Sequence, residues 1–469
     1  MNYYEIAITG HNLGALTYEY EGALDEGRLV SVPVAKKQKE GVVLRQVQKP
    51  EFKTSGITEV KPSYLSKQQL SLARFISSYY VCETALSCGL FEAFEDCVAE
   101  SKSENMDAKI SLSANQTKAY EFLKSKNVGL LFGDTGSGKT EIYMKLIEDA
   151  VNADKSVIFL MPEISLTPQM LKRLKSKFGH LVGVWHSKQS KKAKTQLLEK
   201  LKNGEVKIAA GPRSVLFLPL RDIGLIIVDE EHDDSYKSNQ SPRYNAKDMA
   251  VVYAKELGAK CVLGSATPSL SSYKNYPCFR LKESFFEGKK EFVFVHKETE
   301  IDNFVTSNIA KTAKNGAQTI LFLPTRANFK YMICKNCGHG VECPFCSVSM
   351  SIHLNNNLLK CHYCGYTEKA GQTCAKCGHG EMGVFRMGTQ EAVDKLVEAL
   401  PNISIAKFDR DEITTQKKLE STLKEFEEGK VSVLVGTQML SKGHDYHAVK
   451  LAVIMGMDSI LAQNDFRAR

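Results

Sequence analysis

A glycine-rich segment between two apolar stretches constrains the fold of this chain more than any other feature of its sequence. It follows an apolar run at 128–132 and precedes a helical pattern at 141–151. The segment matches Gly-x-x-x-x-Gly-Lys-[Ser/Thr] and consists of Gly133, Asp134, Thr135, Gly136, Ser137, Gly138, Lys139 and Thr140. In a phosphate-binding loop, backbone N–H groups of the turn and of the helix N-terminus point together at phosphate oxygens. An ordinary strand-turn-helix connection is the alternative, but the flanking patterns favour a nucleotide loop in which Lys139 neutralises phosphate charge and Thr140 binds Mg²⁺.

An acidic run after a second apolar stretch supplies the expected partner of this loop. Residues 225–228 predict a buried parallel strand, and Asp229, Glu230, Glu231 and His232 follow it. Ligands bind at the carboxyl ends of strands in an open α/β sheet, so Asp229 is predicted to complete the Mg²⁺ site. Glu230 is predicted to polarise the attacking water, and His232 to couple the nucleotide to a neighbouring segment. An acidic run taken alone is more often a solvated turn or a helix cap.

Two weaker signals surround these motifs. Ser265 and Thr267 lie in the small-residue segment 263–268, where their hydroxyls fit either a relay of nucleotide state or a tight turn. Gln116, upstream of Gly133, fits either a contact with the adenine edge or a surface position on a helix.

Strand patterns alternate with helical patterns over most of the chain. A first series places strands at 128–132, 156–161, 225–228 and 260–263, with helices at 141–151 and 168–178. A second series places strands at 319–323, 403–408, 431–435 and 451–455. Such alternation predicts parallel sheets covered by helices on both faces. Before them, residues 1–60 predict a small antiparallel β unit, residues 66–93 a helix, and residues 100–107 a linker.

Eight of the 13 cysteines fall into four Cys-x-x-Cys pairs. They are Cys334, Cys337, Cys343, Cys346, Cys361, Cys364, Cys374 and Cys377. Eight thiolates suffice for two tetrahedral Cys₄ sites, and four thiolates per ion leave no open position, so we predict two structural Zn²⁺ ions. The start MNYYEIAITG lacks the pattern of a secretory signal, which makes disulfides improbable. Spacing alone leaves open whether the pairs bind nested or in sequence.

Several motifs in one order make the chain similar to the PriA family of bacterial replication-restart helicases, which are DEAH-like. The matching segments are 133–143, 161–169, 186–187, 211–217, 229–232, 235–237, 242–244, 264–268, the eight cysteines and 435–445. The cysteine block is the most specific of them, because a generic helicase does not carry it.

The resemblance implies an α/β fold with two RecA-like parallel-sheet helicase lobes, a small N-terminal β-rich DNA-binding domain and a double zinc-binding insert in lobe 2. The expected boundaries are 1–100 for the DNA-binding domain, 101–295 for the ATP-binding lobe 1, 296–330 with 381–469 for an incomplete lobe 2, and 331–380 for the insert.

The resemblance also implies roles for individual residues. Tyr236, Lys237, Arg243 and Tyr244 match an aromatic-rich loop that couples single-strand binding to ATP hydrolysis, although two core tyrosines and two surface cations would give the same pattern. Thr437, Gln438, Lys442, Gly443 and Asp445 match a motif that touches DNA and nucleotide, and 112–116 fits a nucleotide-base site. Family members bind paired zinc ions in the nested arrangement. This implies one ion on Cys334, Cys337, Cys374 and Cys377, and the other on Cys343, Cys346, Cys361 and Cys364.

Three features depart from the family pattern. No room remains before lobe 1 for the winged-helix module that family members usually have. Leu16, Thr17 and Tyr18 stand where an aromatic-Asp-Tyr triplet is common, which leaves capture of a 3′ DNA end open. The sequence stops at 465–469, before the Gln-x-x-Gly-Arg-x-Gly-Arg motif, so we expect a truncated lobe 2, Mg-ATP and DNA binding, and slow ATP hydrolysis.

These features predict a cytoplasmic, ATP-dependent 3′ to 5′ DNA helicase that recognises stalled or branched replication forks and initiates primosome assembly. Polarity and fork preference come from the resemblance alone. The expected cofactors are ATP with Mg²⁺ and two Zn²⁺. The expected partners are single-stranded and forked DNA, primosome and helicase-loading proteins, and single-strand-binding protein, with no membrane. Two alternatives are a fork-binding assembly module with weak or no ATPase, and an ATP-driven translocase on RNA.

Overall fold

The chain forms two compact units, Met1–Lys289 and Lys290–Arg469. The structure, a computed structural model, describes residues 1–96, 110–162, 168–187, 189–282, 291–295, 301–323, 330–334, 336–337, 339–346, 350–353, 357–361, 364–385, 388–409, 412–413, 415–437, 440, 446 and 448–456. No helix in these ranges combines the length and the apolar character that crossing a membrane requires.

A seven-stranded sheet opens the first unit, with the order β5-β2-β1-β4-β3-β6-β7. Its strands are β1 (Asn2–Ile8), β2 (Leu16–Tyr20), β3 (Arg28–Val34), β4 (Lys37–Val47), β5 (Ser55–Gly56), β6 (Glu59–Tyr64) and β7 (Phe94–Glu95). All neighbouring strands are antiparallel except β2 and β5. Tyr4, Ile6 and Ile8 alternate into one core of this sheet, as the period of a strand requires. The predicted antiparallel β unit is confirmed.

Two helices, α1 (Lys67–Tyr79) and α2 (Thr84–Cys88), follow this sheet. A capping box between Ser66 and Gln69 starts α1. The prediction of one helix over 66–93 is wrong, because the chain turns at Val81, which has a left-handed φ of 51°. Leu72 and Ile76 of α1 belong to the apolar core of the parallel sheet that comes next, so α1 joins the two sheets of the unit.

A fully parallel seven-stranded sheet forms the rest of the first unit, in the order β10-β11-β9-β12-β13-β8-β14. Its strands are β8 (Val128–Gly133), β9 (Ser156–Leu160), β10 (Val182–Val184), β11 (Ile208–Gly211), β12 (Ile223–Asp229), β13 (Lys260–Ser265) and β14 (Cys278–Leu281). The helices are α3 (Ala114–Lys124), α4 (Lys139–Asn152), α5 (Pro168–Phe178), α6 (Lys191–Lys202), α7 (Ala246–Leu257) and α8 (Leu270–Asn275).

Strand β12 shows how this sheet is built. Leu225 and Ile227 pack into the core beneath α3 and α4, while Ile226 and Val228 pack into the opposite core with α7. A strand buried on both faces reads as a continuous apolar run, which is why the sequence predicts it well. The same geometry brings Gly133, Asp229 and Ser265, the last residues of β8, β12 and β13, to one edge of the sheet.

The second unit contains two sheets. One is a four-stranded parallel sheet with the order β21-β22-β15-β23. The other is a five-stranded antiparallel sheet with the order β19-β18-β17-β16-β20. The strands are β15 (Gln318–Phe322), β16 (Lys330–Cys334), β17 (Ser351–His353), β18 (Leu358–Lys360), β19 (Thr367–Lys369), β20 (Met382–Phe385), β21 (Ile405–Phe408), β22 (Val433–Gly436) and β23 (Val449–Ile454). The helices are α9 (Asn303–Lys314), α10 (Thr389–Ala399) and α11 (Gln416–Glu427). The α/β class with parallel-sheet lobes is confirmed. Of the eight paired cysteines, Cys334 ends β16 and the other seven lie outside the strands, in the segments between β16 and β20.

Candidate nucleotide site and metal clusters

The glycine-rich loop joins β8 to α4 at the carboxyl edge of the parallel sheet. Gly136 and Gly138 have left-handed φ angles of 76° and 80°, which favour glycine. Gly133 is required for space, since a Cβ there would lie 2.6 Å from Oγ of Ser137. Lys139 begins α4, and its Nζ donates to the carbonyl oxygens of Gly133 at 3.0 Å and Asp134 at 3.4 Å. The ammonium therefore lies inside the loop.

The loop also contains an unsatisfied donor. Oγ of Ser137 is buried and has no hydrogen-bond partner within the described part of the chain. A buried hydroxyl without a partner is costly unless a ligand satisfies it. Thr135 is exposed and Thr140 half-buried on the first turn of α4. The hydroxyl, the left-handed glycines and the start of a helix together fit an oxyanion such as phosphate.

Two side chains brace the loop from outside. Gln116, which is buried, donates from Nε2 to the carbonyl oxygen of Gly138 at 3.3 Å and accepts from the backbone of Ser113 at 2.8 Å. The surface alternative for Gln116 is therefore wrong, and its amide contacts the loop itself. Arg280 on β14 donates to Oδ1 of Asp134 at 2.6 Å.

Asp229 ends β12 beside this loop. Its Oδ1 accepts from the hydroxyl of Tyr143 at 3.0 Å. Burial raises the pKa of Asp229 to about 6, the Glu230 carboxylate adds to the rise, and the Lys139 ammonium opposes it. Glu230 follows with a left-handed φ of 47°, uncommon for a residue other than glycine. Two carboxylates crowded at a buried strand end create a site that a divalent cation would stabilise.

His232 connects this acidic run to the end of β13. Its Nδ1 lies 2.7 Å from Oγ of Ser265, and its Nε2 lies 3.4 Å from Oγ1 of Thr267. Nδ1 is also 3.6 Å from Oε2 of Glu230. The structure therefore joins the acidic run to the hydroxyls of segment 263–268, the arrangement that a relay requires.

Sequence reasoning assigned no role to Glu231, which the structure buries in a polar network. Its carboxylate accepts from the backbone N–H of Ser269 at 2.6 Å and from Oγ of Ser272 at 2.7 Å, and it pairs with Nζ of Lys247 at 3.3 Å. This network ties the acidic run to the starts of α7 and α8. The spacing Ser-x-x-Ser directly after segment 263–268 was the available signal.

Sequence reasoning also missed the contact of Tyr143 with Asp229. Tyr143 lies one helical turn after Lys139, on the same face of α4, and this spacing was the available signal.

The four residues of the predicted coupling loop divide into core and surface. Tyr236 and Tyr244 are buried, and Lys237 and Arg243 are exposed. Tyr244 packs edge-on against Phe217 at 5.1 Å, and the hydroxyl of Tyr236 donates to the carbonyl oxygen of Asp229 at 2.6 Å. Stacking of DNA bases on these two rings does not fit, because their faces are packed in the core. The alternative, two core tyrosines and two surface cations, is what the structure contains.

The coupling loop also contacts the helix that joins the two sheets. The Tyr80 hydroxyl accepts from the backbone N–H of Asn245 at 2.9 Å, and Nζ of Lys237 lies 4.8 Å from the centre of the Tyr80 ring. Nζ of Lys237 also donates to the carbonyl oxygen of Arg243. The loop is thus held between the end of β12 and the end of α1.

The structure describes residues 16–18 and, of the predicted motif at 437–445, Thr437 but not Gln438, Lys442, Gly443 or Asp445. Thr437 is buried directly after β22. In the N-terminal sheet, Tyr18 is buried and its hydroxyl donates to the carbonyl oxygen of Pro33 at 3.0 Å. Leu16 is exposed.

The eight cysteines gather in two nested clusters of four. One cluster is Cys334, Cys337, Cys374 and Cys377; the other is Cys343, Cys346, Cys361 and Cys364. Within each, the four Sγ atoms lie within 4.8 Å of one another; Sγ of Cys334 is 3.6 Å from that of Cys377, and Sγ of Cys343 is 3.6 Å from that of Cys364. Four sulfurs that each lie about 2.3 Å from one zinc are about 3.8 Å apart, so both clusters fit Zn²⁺.

Local backbone geometry supports both clusters. Gly365 and Gly378 directly follow a cysteine pair and have left-handed φ angles of 80° and 70°. The N–H of each donates to the carbonyl oxygen of the first cysteine of its pair, at 2.9 Å in both cases. These tight turns aim both sulfurs of a pair at one point. Gly338 lies outside the described residues.

Four family descriptions match this chain. "3'DNA-binding domain (3'BD)" matches residues 5–89, and "DEAD/DEAH box helicase" matches 113–276. "PriA DNA helicase Cys-rich region (CRR) domain" matches 343–369, and "Helicase conserved C-terminal domain" matches 375–467.

The chain is also similar to proteins named "Replication restart protein PriA". It is 43% identical to that of Helicobacter pylori (strain ATCC 700392 / 26695), over 100% of this chain and 76% of the relative. Identity to the Bacillus subtilis (strain 168) protein is 36%, over 82% of this chain and 51% of the relative. Identity to the Rickettsia felis protein is 34%, over 95% of this chain and 72% of the relative.

Proposed function

Because this chain belongs to the family of replication restart protein PriA, we propose that it is an ATP-driven DNA helicase that recognises stalled or branched replication forks. One observation carries the proposal. The phosphate loop, the acidic pair Asp229–Glu230 and the coupling loop meet at one edge of one parallel sheet, where the Tyr236 hydroxyl joins the coupling loop to Asp229.

The residues of the loop and of β12 act on bound Mg-ATP. The Lys139 ammonium exchanges the carbonyl oxygens of Gly133 and Asp134 for phosphate oxygens, and Ser137 gains a partner. Thr140 and Asp229 hold Mg²⁺, which supplies Lewis acidity at the phosphates when bound. Glu230 orients the attacking water. Residues 133–138 and Gln116 complete the nucleotide site, and Gln116 donates a hydrogen bond to the carbonyl oxygen of Gly138.

DNA binding reaches this site through the coupling loop. The exposed cations Lys237 and Arg243 contact the phosphates of single-stranded DNA. Displacement of the loop changes the hydrogen bond from Tyr236 to the carbonyl oxygen of Asp229, and with it the position of the Mg²⁺ ligand. His232 passes nucleotide state to Ser265 and Thr267. From the family resemblance alone, we also propose coupling roles for Thr437 and Lys442.

The remaining features of the proposal follow from the family. We propose translocation from 3′ to 5′, assembly of a primosome with helicase-loading proteins and single-strand-binding protein, and a cytoplasmic location. The domain boundaries 1–100, 101–295, 296–330 with 381–469, and 331–380 belong to the same proposal. The two zinc clusters are structural, because each Zn²⁺ would be fully coordinated by thiolates.

Displacement of a labelled strand from a forked DNA duplex tests this function. We expect release of the strand that requires hydrolysable ATP and Mg²⁺ and that Lys139→Ala abolishes. Tight fork binding with no ATP-dependent release would favour an assembly module instead. Equal stimulation of ATP hydrolysis by RNA and by DNA would favour a translocase on RNA.

A further inference from the structure

We propose that Tyr143 is a positioning residue of the Mg²⁺ site, whose buried hydroxyl fixes the orientation of the Asp229 carboxylate, and that Gly264 is a glycine because this hydroxyl needs its space. The inference deepens the proposed function and rests on it, because it presupposes that Asp229 holds the cation of Mg-ATP.

The ring of Tyr143 is locked in the core of the parallel sheet. It is fully buried on α4 and packs edge-on against Phe159 of β9, with ring centres 5.8 Å apart. Its hydroxyl lies 3.0 Å from Oδ1 of Asp229. A phenolic hydroxyl that pairs with a carboxylate oxygen is the donor of that hydrogen bond. A rigid donor thus reaches the carboxylate from the same helix that begins with Lys139 and Thr140.

A carboxylate held through one oxygen presents its other oxygen in a fixed direction. Groups that hydrogen-bond to a metal ligand set its orientation, and their loss typically lowers metal affinity by about 10- to 100-fold. The bond also joins α4 to β12 across the site. Tyr143 therefore keeps Thr140, on α4, and Asp229, on β12, in a constant relation before any cation binds.

Gly264 supplies independent support. It lies on β13 directly beside Asp229 of β12 in the strand register. A Cβ at this position would overlap the Tyr143 hydroxyl and would lie 2.8 Å from Cζ of the same ring. The backbone of Gly264 is not in the left-handed region, so space and not conformation demands glycine here. The small residue at 264 and the tyrosine at 143 thus form one arrangement around Asp229.

Metal binding by the full chain tests the inference without relying on turnover. Mn²⁺ binding is measured by electron paramagnetic resonance in the presence of a non-hydrolysable ATP analogue. Tyr143→Phe keeps the ring and removes the hydroxyl, and we expect Mn²⁺ affinity to fall about tenfold. Tyr253→Phe, which alters a buried tyrosine of α7 on the opposite face of the sheet, is the matched control and should bind as the unaltered chain does.

The outcomes separate the two proposals. Mn²⁺ affinity in Tyr143→Phe equal to that in Tyr253→Phe would overturn the positioning role alone. An unaltered chain that binds no metal–nucleotide complex would overturn the proposed nucleotide site and the positioning role with it.

A double substitution tests the link to Gly264. Gly264→Ala should lower the stability of the first unit, and it should lower it less in a Tyr143→Phe background, because the overlap with the hydroxyl is gone. Equal losses in both backgrounds would contradict the explanation of Gly264.

Discussion

The buried pair of Glu231 and Lys247 allows a quantitative prediction for Lys247→Met. The Nζ of Lys247 lies 3.3 Å from Oε2 of Glu231, and the two side chains are 10% and 0% exposed. Methionine preserves the length and the apolar stem of the side chain but removes its charge. The Glu231 carboxylate then remains buried without a cationic partner at this position.

The expected loss in the free energy of unfolding depends on the hydrogen bonds that Glu231 still accepts. Removing one partner of a buried ion pair costs about 3–5 kcal/mol. Ser269 and Ser272 still donate to the carboxylate, at 2.6 Å from the backbone N–H of Ser269 and 2.7 Å from Oγ of Ser272. We therefore expect the lower end, a loss of about 3 kcal/mol in the free energy of unfolding. The double variant Glu231→Gln/Lys247→Met should recover to within about 1 kcal/mol, because replacing both charges is often nearly neutral.

The change in the stability of the first unit is measurable by the fluorescence of Trp185, the only tryptophan of the chain. It is buried in the first unit, so its fluorescence reports unfolding of that unit during a urea titration. With a slope of about 3 kcal/mol per M, the predicted loss moves the midpoint down by about 1 M. Lys255→Met, on the exposed face of the same helix, is the control and should shift it little. A midpoint for Lys247→Met that matches this control would refute the reasoning.

Three further predictions concern coupling, zinc and pH. Tyr236→Phe should reduce stimulation of ATP hydrolysis by DNA about fivefold, as loss of one hydrogen bond of about 1 kcal/mol to Asp229 implies; unchanged stimulation would contradict the coupling route. Gly380→Ala should lower bound zinc from two to one per chain by metal analysis, because its Cβ would overlap Sγ of Cys334 and lie 3.0 Å from Sγ of Cys377. Gly371→Ala is the control, and it should retain both zinc ions because its Cβ would lie 3.8 Å from its nearest neighbour. Burial raises the pKa of Glu92, so its ionisation at neutral pH costs the folded state free energy that Glu92→Gln removes. Glu92→Gln should therefore stabilise the first unit at neutral pH, and the gain should disappear as the pH falls to 4.5 and below. A gain independent of pH in urea titrations would rule this out.

Apolar periodicity predicted the parallel sheets because their strands are buried on both faces. Strand β12 and its neighbours read as continuous apolar runs, and their alternation with helices predicts that they are parallel. The short strands β11 and β14 escaped, since Ile208–Gly211 and Cys278–Leu281 are four residues each and carry little pattern. The break between α1 and α2 escaped because Val81, a poor candidate for a left-handed φ, gives no turn signal.

The candidate site was predictable where chemistry requires fixed spacing. The phosphate loop and the cysteine pairs need particular residues at particular intervals, so the sequence reveals them. Burial of Tyr236 and Tyr244 was not predictable, because an aromatic residue beside a cation fits a core and a DNA surface equally. The contacts of Glu231 are long-range, and no pattern within the acidic run itself indicates that its third carboxylate will be buried and paired.

ATP hydrolysis with and without single-stranded DNA tests the central claim most directly. The unaltered chain and Lys139→Ala are compared in the presence of Mg²⁺, with RNA of the same length in parallel. We predict slow basal turnover that DNA stimulates more than RNA and that Lys139→Ala abolishes. Turnover that DNA leaves unchanged, or that persists in Lys139→Ala, would contradict an ATP-driven DNA helicase.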